Sequence, residues 1–242
     1  MKTQILLTPA AGKALIAEAL VHSETVRKAL KEHTIAIIKG TGNAYIADRL
    51  LKEIGEPFSS TGYNRGITVP KGTSLPPSQH DDTIIVKGVL QKGLTVFDIA
   101  AELGPGDILF KGANALDLNQ HACGILIGNP TGGTMNAVYQ AHEQGAAVIH
   151  PVGTEKRVGR SIDELIGMNH DAGLRMFKGC GQVVTEIDAF RDLWGVEAEI
   201  LAAGGVAGAE GAVWYLVEGP EERIKRCREE LSSIELTPLY RI

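Results

Sequence analysis

Short apolar runs rich in β-branched residues recur along this chain, and each stops at or close to a glycine: TIAIIKG at 34–40, TIIVKG at 83–88, GDILFKG at 106–112, ACGILIG at 122–128 and AAVIHPVG at 146–153. Runs this short, bounded by turn residues, read as buried strands. Helical patterns lie between them at 44–54, 95–103 and 135–144. Strands alternating with helices across 34–158 predict a largely parallel sheet covered on both faces. The 29 glycines among 242 residues exceed the usual share of about 7%. They sit where strands turn sharply, and such strand-to-helix turns are where α/β proteins bind anionic ligands.

Around this centre, Thr8 followed by Pro9 predicts a helix start running to about Val21, and Ser23 a second helix to about Lys31. Gly55 ends the helix at 44–54. Residues 56–82 are rich in Gly, Pro, Ser and Thr with one brief strand-like piece at 66–69, and a loop that long is usually functional or disordered. Ser161 and Glu164 have the spacing of a capping box. Strands are expected at 196–203 and 212–218, then a charged amphipathic helix from Pro220 to about Leu231. The expected division is therefore a ligand-binding domain at 1–178, with helices 9–31 packed on it, and a small α+β subdomain at 179–242.

Several classes are argued against. A net charge of −5 offers no field for a nucleic-acid backbone. No apolar run approaches the roughly 20 residues of a membrane span, and residues 1–20 turn amphipathic too soon for a secretion signal. Three dispersed cysteines, Cys123, Cys180 and Cys227, suggest reduced thiols in a cytoplasm and neither a disulfide framework nor a zinc site.

Three loops carry the expected chemistry. Lys39, Gly40, Thr41, Gly42 and Asn43 join a strand to a helix whose first amides carry partial positive charge; the plain alternative is a tight turn capped by Asn43. The third glycine of a dinucleotide fingerprint is replaced by Tyr45, which makes a nicotinamide-dependent oxidoreductase the most distant reading, and no Walker-type loop occurs. Lys111, Gly112, Ala113 and Asn114 leave the run GDILF, and Asn114 is of a type that tolerates left-handed backbone. Lys111, Asn114 and Asp117 are expected to face a ligand together, against the alternative of a solvated turn. Gly128 to Thr134 (GNPTGGT) is a second amide-rich turn, with Thr131, Gly132, Gly133 and Thr134 as ligand or cap. Placed at one edge of a parallel sheet, these loops would form a crevice.

Residues 39–43 in their setting, GDILFKGANALD at 106–117 and GILIGNPTGGTMNAVYQAHEQGAAVIHPVGTEK at 124–156 together resemble a superfamily. It unites ribose-5-phosphate isomerases, glucosamine-6-phosphate deaminases, CoA transferases, methylthioribose-phosphate isomerases and the sugar-sensing domains of bacterial repressors. The resemblance covers roughly 34–158. It implies a Rossmann-like, mostly parallel sheet that binds a phosphosugar, a CoA ester or a related anion, with the tail matching the small appendage of ribose-phosphate isomerases. It also implies a homo-oligomer. The departures fall on the proton-transfer groups: Lys111 to Asn114 stand where the isomerases have DGAD, residues 127–130 lack the lysine of their KGGG segment, and the CoA-transferase glutamate motif is absent.

Asp117 and Lys111 are accordingly the catalytic candidates, Lys111 as a phosphate clamp or as a desolvated amine. Lys156, Arg157 and Arg160 are candidates for the ligand's charge. His80-Asp81-Asp82, His121 with Cys123, and His170-Asp171 are weaker, as is the glycine-rich turn 204–211; Cys123 reads better as a small core residue. No cofactor is required by this reading, CoA enters only as substrate, and no metal is expected. The expected function is binding of a phosphorylated or otherwise anionic metabolite. An isomerase-type or acyl-CoA-type enzyme is one form of it, and a non-catalytic sensor or regulatory subunit using the same crevice is the alternative.

Overall fold

The computed structural model describes residues 1–66, 68–69, 71–73, 78, 80–129, 131–169 and 173–238. The expected strand-like piece at 66–69 includes Ile67, which lies outside the described residues. Strand β1 (Lys2–Leu7) comes first and was not expected from the sequence. Helix α1 (Pro9–His22) follows, opened by the Thr8 hydroxyl accepting from the Ala11 amide and by Pro9 in its first turn. Ser23 serves two helices: its hydroxyl donates to the Leu20 carbonyl at 2.7 Å and accepts from the Val26 amide of α2 (Glu24–Glu32). Then come β2 (Thr34–Ile37), α3 (Asn43–Glu53), β3 (Thr83–Val86) and β4 (Val89–Gln91). The expected helix at 95–103 forms only one regular turn, α4 (Val96–Ile99), because Gly104 and Pro105 follow closely and the chain relaxes into turns.

Beyond it lie β5 (Ile108–Phe110), β6 (Ala115–Asp117), β7 (Ala122–Ile127), α5 (Thr134–Glu143) and β8 (Ala147–Pro151). A 3-10 turn at Thr154–Lys156 precedes α6 (Ile162–Met168), which carries the expected capping box from Ser161 and Glu164. The chain continues through β9 (Arg175–Lys178), β10 (Gln182–Val184), α7 (Glu186–Trp194), β11 (Glu197–Ala203), β12 (Val213–Glu218) and α8 (Glu221–Glu235).

The chain is mixed α/β around a six-stranded, mostly parallel sheet of order β10-β8-β5-β2-β3-β4. The pairs β2–β5, β5–β8 and β8–β10 are parallel, while β3 and β4 run antiparallel on the far side of β2. Register aligns Ile37 with Phe110 and Phe110 with Ile149, so β2 and β5 end level, β8 runs on to Pro151, and the residues after them share one edge. Alternation along the strands splits the core. Ile35, Ile37 and Phe110 cluster with apolar residues of α1, α2 and α3, whereas Ala36, Ile38 and Leu109 cluster with those of α4 and α5.

Two small sheets complete the fold. The first, β6-β7-β9, is antiparallel. Thus ACGILI at 122–127 is a strand, as expected, but not one of the parallel sheet, and the GNPTGGT turn leaves a different sheet from the 39–43 and 111–114 turns. The second, β1-β12-β11, packs on α1, α7 and α8. Chain order and space interleave here: β1 joins strands of the tail, while β10 completes the large sheet. Ile5 and Leu7 of β1 are buried at 4% and 2% exposure. Leu7→Ala should cost about 2–5 kcal/mol, the range for a leucine truncated in a core, read as a lowered urea midpoint. An unchanged midpoint would show β1 detached in solution.

Candidate functional site

Three buried polar side chains brace the carboxyl ends of neighbouring parallel strands. Asn43 follows β2, and its Nδ2 donates to the Ile38 carbonyl at 2.7 Å and to the Phe110 carbonyl of β5 at 3.2 Å. His150 of β8 bonds the Lys111 carbonyl at 2.7 Å through Nδ1; a carbonyl only accepts, so Nδ1 carries the proton. Glu186, after β10, accepts at 2.8 Å from the amide of Thr154, after β8. Asn43, His150 and Glu186 are each no more than 2% exposed. Both carbonyls need the NH2 group of Asn43, so its Oδ1 must face the other way. Among the described residues that oxygen has no partner, and neither does His150 Nε2.

The turn between β5 and β6 holds the charge. Lys111 donates from Nζ to the Gly112 carbonyl at 3.1 Å, and Lys156 donates from Nζ to the Ala113 carbonyl at 2.7 Å. Two half-buried ammonium groups therefore rest on successive carbonyls, and among the described residues neither has a carboxylate at ion-pair distance. Burial, reinforced by the Lys156 charge, pushes the Lys111 amine down to about 8; Arg65 acts in the same sense, Cys123 and Asp82 against it. Burial also lowers Lys156, opposed by Glu155 and helped by Lys13. Burial pushes Glu186 up to about 7, with the neighbouring Glu155 charge adding to it, and pushes His150 down to about 4.

The glycines here do not answer to backbone strain. Gly40, Gly42 and Gly112 avoid positive φ, and a Cβ on any of them would meet nothing nearer than 3.8 Å. At Gly112 the nearest atom would be the orphaned Asn43 Oδ1. The backbone is bare toward open space, as close approach of a ligand requires. Gly132 and Gly133 differ: φ values of 101° and 52° demand glycine for the turn itself.

Other expected residues have other work. Lys39 gives its amide to Asp82 Oδ1 at 2.9 Å and its ammonium to the His80 carbonyl, which directs that charge into the loop 56–82. Asp82 is buried and also accepts both bonds from Arg65 and one from the Val96 amide. Thr41 is half-buried in the turn, and the helix cap position is Gly42, with Asn43 turned inward instead of capping. Asn114 is not left-handed; its Oδ1 accepts from the Leu126 amide at 2.9 Å and staples β7. Asp117 Oδ1 caps the β6–β7 turn through the amides of Asn119 and Gln120.

In the third loop, Thr131 donates from its amide and hydroxyl to Asn129 Oδ1, and Thr134 is buried at the first turn of α5, whose cap position is Gly133. A cavity of about 320 Å3 lies there, lined by Phe97, Asn129, Thr131, Gly133 and Asn136. Arg65 stacks on Phe97 at 5.4 Å, which links this loop to Asp82 and so to Lys39. Another cavity, about 470 Å3, lies on the flank of β8 and β10 away from the lysines and is lined mainly by apolar groups. Arg157 and Arg160 are exposed, and Cys123 is buried with its thiol pushed up to about 12 by that burial. His170 and Asp171 lie outside the described residues. The turn 204–211 simply joins β11 to β12.

The sequence reading overlooked His150, Glu186 and Arg65. The signal for Glu186 existed: Thr185 and Asp188 form a capping box that opens α7, which places Glu186 at the carboxyl end of β10. No family model, curated protein or solved structure matches this chain.

Glu186 supplies a pH test. Its carboxyl is raised from 4.5 to about 7 in the folded chain. A raised carboxyl contributes stability that is full below about 4.5 and is lost as pH climbs through about 7. Glu186→Gln should therefore gain on wild type across that window, by an amount on the order of a few kcal/mol. Thermal or urea unfolding of both chains at pH 4.5 to 8 checks this; parallel curves would show that folding does not raise the Glu186 carboxyl.

Proposed function

We propose that this protein binds a phosphorylated or otherwise anionic small metabolite, a sugar phosphate or a CoA ester, at the carboxyl ends of β2, β5 and β8. The observation that carries this is the pair Lys111 and Lys156, two ammonium groups on adjacent carbonyls without a carboxylate at ion-pair distance among the described residues. An anion bridging the two would relieve their mutual repulsion. The first amides of α3 add partial positive charge, and the bare backbone at Gly40, Gly42 and Gly112 admits close approach. Resemblance of 34–158 to the ribose-phosphate isomerase, glucosamine-phosphate deaminase and CoA transferase superfamily supports the same ligand class. On this reading the sheet is Rossmann-like, with α1 to α3 over one face and α4 and α5 over the other, as the two side-chain clusters support.

A sensor or regulatory role is the second reading, and one observation favours it. The carboxylate best placed by sequence for proton transfer, Asp117, is committed to capping a turn, and Asn114 to bracing β7. Metabolite binding without turnover needs neither. Cytoplasmic residence and homo-oligomerisation belong to the proposal; among the described residues no helix is long and apolar enough to cross a membrane.

The test is a thermal-shift panel of inorganic phosphate, sugar phosphates, CoA esters and nucleotides. One anionic class should raise Tm, with about 2.7 kcal/mol added at 100 times Kd. Lys111→Ala and Lys156→Ala should each weaken that ligand by about 1.5–3 kcal/mol, roughly tenfold or more in Kd. Equal affinity in wild type and both variants sinks the assignment. Product formation from the winning ligand then separates enzyme from sensor.

A further inference from the structure

We propose that Lys111 is a nucleophilic amine that condenses with the carbonyl carbon of an anionic aldehyde or ketone whose charged group lies against Lys156. The inference rests on the reading of this crevice as an anion site and names the chemistry of its ligand. The bond partner of Lys111 Nζ is the Gly112 carbonyl of its own turn. An amine and an ammonium both donate to a carbonyl, so the side chain keeps its place when it loses a proton. Around it stand the cations Lys156 and Arg65, the fully braced carboxylate Asp82, the buried thiol Cys123, and His150, whose Nδ1–H is fixed on the Lys111 carbonyl. Desolvation and two neighbouring cations favour the neutral amine, which is the form that attacks carbonyls.

The step balances without any other reactant. The Lys111 lone pair forms a C–N bond as the carbonyl π pair moves onto oxygen, which takes a proton from the Lys156 ammonium. The nitrogen then sheds a proton, restoring Lys156; the Lys156 ammonium protonates the hydroxyl, which departs as water as the nitrogen lone pair forms the C=N bond, and the nitrogen gives its last proton back to Lys156. Nothing is oxidised or reduced: carbonyl compound and amine become imine and water. Beside the same turn lies Asn43 Oδ1. It is a buried acceptor with no partner among the described residues, and it lies 3.8 Å from where a Cβ on Gly112 would stand.

Borohydride trapping tests this on the full chain. Wild type is incubated with glycolaldehyde phosphate, with pyruvate, and with uncharged glycolaldehyde, reduced with sodium borohydride, and mapped by peptide mass. The expected result is one adduct per chain on Lys111 with both anionic compounds, at least tenfold faster than with glycolaldehyde. Inorganic phosphate should slow it, and Lys111→Arg, which keeps the charge, should abolish it. The trapping rate should rise with pH to a midpoint near 8, and Lys156→Met should move that midpoint upward and erase the preference for anions. Adducts spread evenly over exposed lysines overturn the inference. So does an unmodified Lys111 in a chain whose Tm inorganic phosphate still raises through Lys111 and Lys156, a result that leaves the binding reading standing. Phosphate shifts identical in wild type and in the Lys111→Arg, Lys156→Met double variant overturn both.

Discussion

The amide of Asn43 ties the end of β2 to the end of β5, and the strand ends around it depend on that clasp. With the Phe110 carbonyl fixed, the next residue, Lys111, has its position set. Its carbonyl is taken by His150 from β8. Glu186 repeats the device between β8 and β10. Parallel strands expose unpaired backbone groups where they end, and a buried end without partners is costly. Side chains close the gaps here, and each choice has an electrostatic by-product. Asn43 leaves an acceptor facing Gly112, the neutral His150 adds no positive charge beneath the lysines, and burial beside the Glu155 charge makes Glu186 hold its proton more tightly than a free carboxyl does.

The same desolvation acts oppositely on acids and bases. It weakens the hold of Lys111 and Lys156 on their protons and strengthens that of Glu186. The amines are placed on carbonyls, which stabilise them without cancelling their charge, while the cation with a full carboxylate partner, Arg65, is bound to Asp82 nearby. Charge neutralised at Asp82 serves the framework that carries the loop 56–82 and the start of α4. Lys111 and Lys156 rest on carbonyls instead, and their charge is the part the proposed anion would meet.

Much of the framework was legible because it is local. Period and composition marked β2, β3, β5, β7 and β8, and capping residues marked α1, α2 and α6. What escaped is what depends on distant partners. Strand β1 carries Lys2 and Gln4 among its apolar residues; it becomes a strand by pairing with β12. Strand β7 has the composition of a parallel core strand, yet its hairpin with β6 and its pairing with β9 put it elsewhere. At the candidate site, Lys111 and Gly112 were singled out from the strand-turn pattern, whereas the spacing of Asp117 did not announce that this last residue of β6 caps the turn after it. His150 lay inside an expected strand, and nothing in the sequence said that its ring would reach across to a neighbouring turn.

The pairing of residues 2–7 with 213–218 also orders events in time. As the polypeptide leaves the ribosome, its first strand has no sheet to join until more than two hundred later residues have emerged. The parallel core between β2 and β10 draws only on sequence made before that moment, so it is free to assemble while the leading segment waits. Apolar Ile5 and Leu7 lack their β12 partners through this interval, and that is when a chaperone or another nascent chain has its longest opportunity to capture them.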